Sequence, residues 1–365
     1  ECPEQLVREM EEDEKGYSPE LWQKMAQQGW MGLIIPDKYD GTGMNVCELV
    51  VLLEEFGRAL VPGPFISTVV LGGVPIMEAG TEEQKQQFLP KIASGELRLQ
   101  AFGVTEPDAG SDTTKLKTTA VRTGDRYVVN GRKMFISRAM QSDLMLLLAR
   151  TTSAEQVKRR TDGLSVFLID IRGLKGLEIR PLRMMMNHST NALFFDNMEI
   201  PAGSLIGQEG RGFSYILDGM NAERILVASD SLGDARWFTE KAVAYAGQRV
   251  IFGKPIGANQ GVQFPIAKAH VSIEAADLMR TKAARMFDGG IPCGPEANMA
   301  KYLASEAAIE AGNACIDCHG GYGFAEEYDI ERKFRESRLY RAAPINNNLV
   351  IAYVGEHVLG MPRSY

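Results

Sequence analysis

Cysteine is scarce in this chain of 365 residues: Cys2, Cys47, Cys293, Cys315 and Cys318 are all there is. So small and odd a number excludes a disulfide-built scaffold and points to a reducing compartment. Histidine is scarcer still, with four scattered residues that have no metal-ligand spacing, so no metal is expected. An excess of positive charge is also missing. Asp and Glu number 47 against 40 Lys and Arg, for a net charge of -7, which argues against nucleic acid or an anionic membrane as partner. No apolar run approaches the roughly 18 residues that a membrane-spanning helix needs. No signal or transit segment is recognisable before the first helical stretch. The expected location is the bacterial cytoplasm. A mitochondrial matrix stays open because the chain begins with Glu1 rather than methionine.

What is present divides into three. Residues 1–97 read as helices, among them Pro19 to Trp30 and Val46 to Leu60, with Thr81 and Gln84 spaced as a capping box. Residues 98–204 read as short strands separated by turns such as Gly124-Asp125 and Asp162-Gly163. Asn130-Gly131 is the strongest two-residue hairpin signal among them. Strands at this spacing predict an antiparallel barrel or sandwich rather than a Rossmann sheet. Residues 205–365 return to long helical segments, from Phe213 to Gln248, Gly261 to Phe287 and Pro295 to Cys318, which predict a bundle. The class is therefore α+β: a helical domain, a central β-domain and a helical bundle. Cys315-Ile316-Asp317-Cys318-His319 matches a haem-attachment pattern, yet the five residues continue an alanine-rich helix, and that reading is preferred. Met184-Met185-Met186 reads as core filling rather than a metal box, and His188 as a surface histidine.

One stretch stands out. At helical spacing Phe213, Ile216, Met220, Glu223 and Val227 form a stripe in which only Glu223 is not apolar. A carboxylate facing a core is costly unless it is paired or its pKa is raised. Arg224 cannot cancel it by adjacency, because sequence neighbours on a helix point in different directions. Glu223 is thus either a member of a structural ion pair or a base held in an apolar setting.

Three further motifs carry chemistry. Phe102 to Asp112, read Phe-Gly-Val-Thr-Glu-Pro-Asp-Ala-Gly-Ser-Asp, runs from a strand into a polar loop. Arg249-Val250-Ile251-Phe252-Gly253 is followed by Gln260. His319-Gly320-Gly321-Tyr322-Gly323-Phe324 precedes the basic segment Arg335 to Arg338, and its glycines allow close backbone approach to a phosphate. Each alone is an ordinary loop or helix end. Together, in this order, they closely resemble the acyl-CoA dehydrogenase family over nearly the whole chain.

That resemblance implies a definite fold: an N-terminal α-domain, a central β-domain and a C-terminal four-helix bundle. FAD would be the cofactor, bound between the β-domain and the bundle. It also implies oxidation of an acyl-CoA thioester to the trans-2-enoyl-CoA, as in beta-oxidation, with electrons passing to electron-transfer flavoprotein. Phe102, Val104, Thr105, Gly110 and Ser111 match residues that hold the flavin ring, Ser111 also lying near the thioester. Phe135-Ile136-Ser137 stands where relatives carry Trp-Ile-Thr against the flavin. Arg249, Phe252 and Gln260 match residues reaching the FAD of a neighbouring subunit, which implies a homo-oligomer, commonly a tetramer built as a dimer of dimers. Gly320 and Gly321 match the pyrophosphate-binding pair, beside Asp317 where relatives often have Gln. Asn346 and Asn348 match polar residues touching FAD, and Asn221 and Arg224 match positions at the substrate entrance.

Most members carry the catalytic Glu in a loop that here reads Ala342-Ala343-Pro344-Ile345-Asn346, with no acid. A minority, the isovaleryl- and long-chain-type enzymes, carry it on the bundle helix in a Glu-Arg pair, as in Ala222-Glu223-Arg224. The resemblance therefore implies Glu223 as base. Pro344 has no N–H to donate to the thioester carbonyl, so a compensating donor such as Ile345 is expected. Two other readings are an oxidase-like enzyme with a different electron acceptor, and a non-catalytic subunit that binds acyl-CoA.

Overall fold

The structure is a computed structural model describing residues 1–186 and 189–363. Helices α1 (Glu4–Glu12), α2 (Pro19–Gln27), α3 (Val46–Ala59), α4 (Gly73–Ala79) and α5 (Glu82–Ala93) come first. Strands β1 (Leu99–Gly103), β2 (Thr119–Thr123), β3 (Arg126–Ser137), β4 (Leu144–Arg150), β5 (Leu164–Asp170), β6 (Leu177–Pro181), β7 (Thr190–Pro201) and β8 (Leu205–Ile206) follow. Helix α6 (Gly212–Gln248) leads through a small hairpin, β9 (Val250–Ile251) and β10 (Lys254–Pro255), to α7 (Gln260–Asp288), α8 (Gly294–His319), α9 (Ile330–Ser337) and α10 (Asn347–Tyr353). The capping box forms at the start of α5: Gln84 N donates to Thr81 Oγ1 at 3.2 Å and Thr81 N to Gln84 Oε1 at 2.9 Å. Cys315 to His319 is the last turn of α8, and His188 lies outside the described residues. Of the methionine run, Met186 is buried but Met185 is exposed, so core filling holds for only part of it.

The chain packs as two compact units: residues Glu9–Met44 with Pro62–Met220, and Glu1–Arg8 with Asn45–Val61 and Asn221–Tyr365. In the first, the strands run in the order β6-β7-β3-β2-β4-β5-β8, with β1 added to β4. The expected antiparallel barrel or sandwich needs correction on two points. The sheet is not closed, and β1 and β2 both pair with β4 in parallel. Edge strand β6 carries the paired charges Glu178 and Arg180 and ends in Pro181, features that block further pairing. At the other edge β8 is only two residues long.

Every residue of β4 is buried, because both its faces are covered. Leu144, Leu146 and Leu148 pack with Ile35, Leu89 and Ile92 from the N-terminal segments. Met145, Leu147 and Ala149 pack with Tyr127, Phe167 and Leu193 across the sheet. The Asn130-Gly131 hairpin does not form. The turn is at Gly124-Asp125, where Thr123 pairs with Arg126, and β3 runs on through Asn130 with a register shift. Gly131 has φ +147°, and a Cβ there would lie 2.7 Å from Thr118 Cα. The glycine serves close backbone approach at an irregularity rather than a turn.

In the second unit α3 joins the C-terminal helices. A Cβ on Gly57 would overlap the Asp230 carbonyl, and one on Gly233 would overlap that of Glu54, so α3 and α6 cross backbone to backbone. Charge fastens the crossing. Lys333 Nζ donates to the carbonyls of Gly57 and Arg58, both at 3.0 Å, and pairs with buried Asp234 at 2.9 Å. Glu54 pairs with Arg236 at 2.8 Å and Arg280 at 2.6 Å. Alanines on α7 (Ala269, Ala276, Ala283) and α8 (Ala297, Ala300, Ala304, Ala307) are buried and leave room for close helix packing. Left-handed Asp329 opens α9, and α10 gives way to a π-helical tail at Val354.

Replacing Gly233 by Ala should cost about 3 kcal/mol, because neither backbone can retreat without separating the helices. Gly247, on the same helix with nothing near its Cβ position, should tolerate Ala or gain up to about 1 kcal/mol. Urea midpoints of the two variants check this.

Candidate active site

Helix α6 places Asn221, Glu223 and Arg224 within a single turn. The amphipathic stripe expected there is not distinct. Ala222, Glu223, Arg224, Ile225 and Leu226 are all buried, whereas Phe213, Met220 and Val227 are half-buried. The helix is enclosed on every side at Glu223, so periodicity no longer separates inside from outside. The Glu223 carboxylate accepts no hydrogen bond and forms no ion pair among the described residues. Burial pushes its pKa up to about 7, against the opposing pull of the Arg224 charge. Arg224 is buried as well. Its Nη1 donates to Asn221 Oδ1 at 2.9 Å, while its Nε is buried without a hydrogen-bond partner among the described residues. A carboxyl group in this state is neutral or ionised near neutrality with little bias, which suits proton transfer.

In the same unit the segment after α9 is held from beneath. Lys301 on α8 is fully buried, and its Nζ donates to the Ile345 carbonyl at 2.6 Å and to Asn347 Oδ1 at 2.7 Å. Asn347 Nδ2 reaches Ser305 Oγ at 3.0 Å and Glu306 Oε1 at 2.6 Å, and Arg341 Nε donates to the same Glu306 oxygen at 2.8 Å. Pro344 follows a cis peptide bond. Asn346 caps α10 by accepting from Leu349 N at 2.9 Å, and Asn348 is exposed. Of the three consecutive asparagines, the buried and fully bonded one is Asn347, which sequence reasoning passed over. Lys301 was missed too, since its partners lie more than forty positions away.

The remaining positions in this unit are surface features. Phe252 is fully exposed at the tip of the β9–β10 hairpin with φ +52°. Arg249 and Gln260 are exposed on either side of it. Gly320 ends α8 with φ +59°, and neither it nor Gly321 has any atom within 4 Å of where a Cβ would stand. Asp317 is exposed one turn earlier. His319 turns back, its Nδ1 lying 2.8 Å from the Cys315 carbonyl, and stacks on Tyr245 with ring centroids 4.0 Å apart.

In the β-containing unit, the loop after β1 is tied to β3. Lys133, fully buried, donates to Glu106 Oε1 at 2.9 Å and to the Val104 carbonyl at 3.0 Å. Glu106 also accepts from the N–H groups of Lys117 at 2.6 Å and Thr118 at 3.0 Å, and Met134 N donates to the Thr105 carbonyl at 2.9 Å. Burial pulls the Lys133 ammonium down, to about 8, against the attraction of Glu106. Burial raises Glu106, but Lys133 and the hydrogen bonds outweigh it and hold that carboxyl low. These bonds bring Phe102, Val104 and Thr105 alongside Phe135, Ile136 and Ser137. Phe135 is exposed with φ +60°, a conformation that costs energy for a bulky residue. Ile136 is buried, Ser137 half-buried, and Gly110 and Ser111 are exposed, with open space over Gly110.

In the β-containing unit, Phe135 and Gly110 present open aromatic and glycine surfaces that suit a flat ring. In the helical unit, taken by itself, Phe252 stands exposed and Gly320-Gly321 leave room for a phosphate.

Three family profiles match the chain in sequence: acyl-CoA dehydrogenase N-terminal domain over residues 1–96, middle domain over 101–198, and C-terminal domain over 210–357. The chain is 36% identical over 354 residues to "Acyl-CoA dehydrogenase fadE12" of Mycobacterium bovis, covering 96% of this chain and 90% of that protein. It is 35% identical to "Caffeyl-CoA reductase-Etf complex subunit CarC" of Acetobacterium woodii, covering 90% and 87%. Among solved structures, that of glutaryl-coenzyme A dehydrogenase with glutaryl-CoA superposes with a TM-score of 0.90 at 31% identity, covering 99% and 91%.

Two measurements follow. Lys133→Met should destabilise by roughly 3–5 kcal/mol, because it strands a buried carboxylate, and Glu106→Gln added to it should restore most of the loss in chemical denaturation. Glu223 has a folded pKa above its unfolded value of 4.5, so it adds stability below about pH 4.5 that is lost as pH rises through 7. Glu223→Gln should remove that slope from the pH dependence of stability.

Proposed function

Since the chain belongs to the acyl-CoA dehydrogenase family and is an enzyme of that class, we propose that it oxidises an acyl-CoA thioester to the trans-2-enoyl-CoA with Glu223 as the base. The observation that carries this reading is the buried, unpaired Glu223 carboxyl, poised at about 7. FAD, the cofactor of the family, supplies the acceptor for the hydride that leaves the β-carbon. Glu223 takes the α-proton, the Cα–H bonding pair enters the new double bond, and the β-hydrogen departs with its electrons. Charge accumulating on the thioester oxygen must be met by nearby donors.

The chain's own residues divide the work. Phe102, Val104, Thr105, Gly110, Ser111, Phe135, Ile136 and Ser137 would hold the flavin ring, with Ser111 also near the thioester. Arg249, Phe252 and Gln260 would reach the FAD of a neighbouring subunit, which favours a homo-oligomer and gives fully exposed Phe252 a place to pack. Gly320-Gly321 would admit the pyrophosphate. Exposed Asp317 would serve a ribose hydroxyl better than a phosphate. Asn346 and Asn348 would approach the cofactor from α10. Asn221 and Arg224 would line the acyl entrance. Electron-transfer flavoprotein is the proposed acceptor, supported by a relative whose name places it in an Etf complex.

Glu223→Gln should retain yellow FAD while flavin bleaching by acyl-CoA slows roughly a thousandfold or more. Normal bleaching in that variant would end the assignment. Reduction of electron-transfer flavoprotein, measured against dioxygen uptake, tests the acceptor.

A further inference from the structure

Acidic residues outnumber basic ones in this chain, for a net charge of -7, so it repels a polyanion unless cations are gathered locally. The β-containing unit gathers them. Arg150, at the end of β4, is buried, and its guanidinium ties two loops together. Its Nη2 donates to the Thr114 carbonyl at 3.0 Å and to that of Arg160 at 3.2 Å. Its Nη1 donates to the carbonyls of Thr152 at 3.4 Å and Asp162 at 3.5 Å. A third segment joins them: Gly163 N donates to the Gly210 carbonyl at 3.1 Å, and Arg211 lies beside Leu164 in a parallel bridge. The loop that carries Ser111, the loop from Thr151 to Gly163 and the turn before α6 thus converge within one unit.

The charges presented there are unbalanced. Lys115 pairs with Asp112 at 2.8 Å, and Arg159 with Asp162 at 3.0 Å. Lys158, Arg160 and Arg211 are exposed, and their side chains form no ion pair or hydrogen bond among the described residues. The anions that favour Arg150 are Glu155 and Glu106, and Glu106 is already paired with Lys133. Hydrogen bonds from Lys115 and Thr114 hold the Asp112 carboxyl below its ordinary value, and the Arg160 charge adds to them, so Arg160 reaches the Ser111 loop. Cations gathered without matching acids repel one another. Arginine forks with open donors are suited to phosphate oxygens.

The substrate class has such oxygens. A CoA thioester carries a 5′-diphosphate and a 3′-phosphate on its adenosine, joined to the thioester by the flexible pantetheine arm. We propose that Lys158, Arg160 and Arg211 hold the phosphates of the CoA nucleotide, on loops that Arg150 sets in place. This deepens the dehydrogenase reading above and rests on it. Contacts so far from the reacting carbons contribute alike to ground state and transition state, and are read in KM rather than in kcat.

The test uses the full FAD-loaded protein with ferricenium as electron acceptor. The substrate is whichever of butyryl-, isovaleryl- and 3-phenylpropionyl-CoA turns over fastest, beside the same acyl group on pantetheine, which lacks the nucleotide. The triple variant Lys158→Gln, Arg160→Gln, Arg211→Gln should raise KM for the CoA thioester roughly tenfold, with kcat changed less than about threefold. KM for the pantetheine thioester should not differ between parent and variant. Raising the ionic strength from about 0.01 M to about 0.15 M should raise the parent's KM for the CoA thioester and leave the variant's nearly flat. FAD affinity, read from flavin fluorescence, should be unchanged. A CoA-thioester KM within about twofold of the parent's overturns the proposal, and so does an equal rise with both thioesters. Weakened FAD binding in the variant overturns it too, because the patch would then serve the cofactor's own phosphates. Parent protein inert to every thioester would defeat the dehydrogenase reading itself. Calorimetric titration with adenosine 3′,5′-bisphosphate then decides the patch: binding by the parent and not by the variant supports it, and equal or absent binding ends it. An active parent with an unaffected triple variant would defeat only the patch.

Discussion

Desolvation of charge is the constraint around which this protein is arranged. Glu223, Arg224, Lys133, Lys301, Lys333 and Asp234 are all buried, and each must be paired, bonded or left with a perturbed proton affinity. Lys133 is paired with Glu106, and Lys333 with Asp234. Lys301 is bonded to neutral oxygens, and Glu223 has neither pair nor bond among the described residues. That gradation follows function. Charges that only hold backbone in place are neutralised on the spot. The carboxyl assigned to proton transfer keeps its ionisation undecided.

The same logic explains why lysine recurs in these roles. A lysine reaches past a strand or helix to a backbone carbonyl while delivering charge to a carboxylate. Lys133 joins the Val104 carbonyl to Glu106, and Lys333 joins the end of α3 to Asp234. In each case a loop or helix end is fixed at a spacing that apolar packing alone would leave adjustable. The two segments assigned to the flavin ring sit on either side of one such ammonium.

Much of this was legible in the sequence, and the rest was not for identifiable reasons. Helix, strand and helix segments follow local periodicity, and the Thr81–Gln84 cap is a local signal, so both could be read directly. Glu223 drew notice because an acid interrupted an apolar pattern. Lys133, Lys301 and Asn347 carry no such mark. A lysine in a strand or helix reads as solvated until its distant partners are known, and the middle of three asparagines looks like its neighbours. Asn130-Gly131 misled because the left-handed freedom of glycine serves a crowded strand as well as a turn. Sheet closure was misjudged because strand spacing says nothing about which edges meet.

The glycine crossing of α3 and α6 has a consequence for how the polypeptide is made. Helix α3 is synthesised early, but the surface that receives Gly57 belongs to a helix translated only after the entire β-sheet. Until then its apolar side has no native cover on the nascent chain. The β-containing unit has all of its own sequence by that time, whereas the helical unit stays incomplete until the ribosome has nearly finished. Assembly is thus ordered by translation, with an early helix kept waiting for a late one.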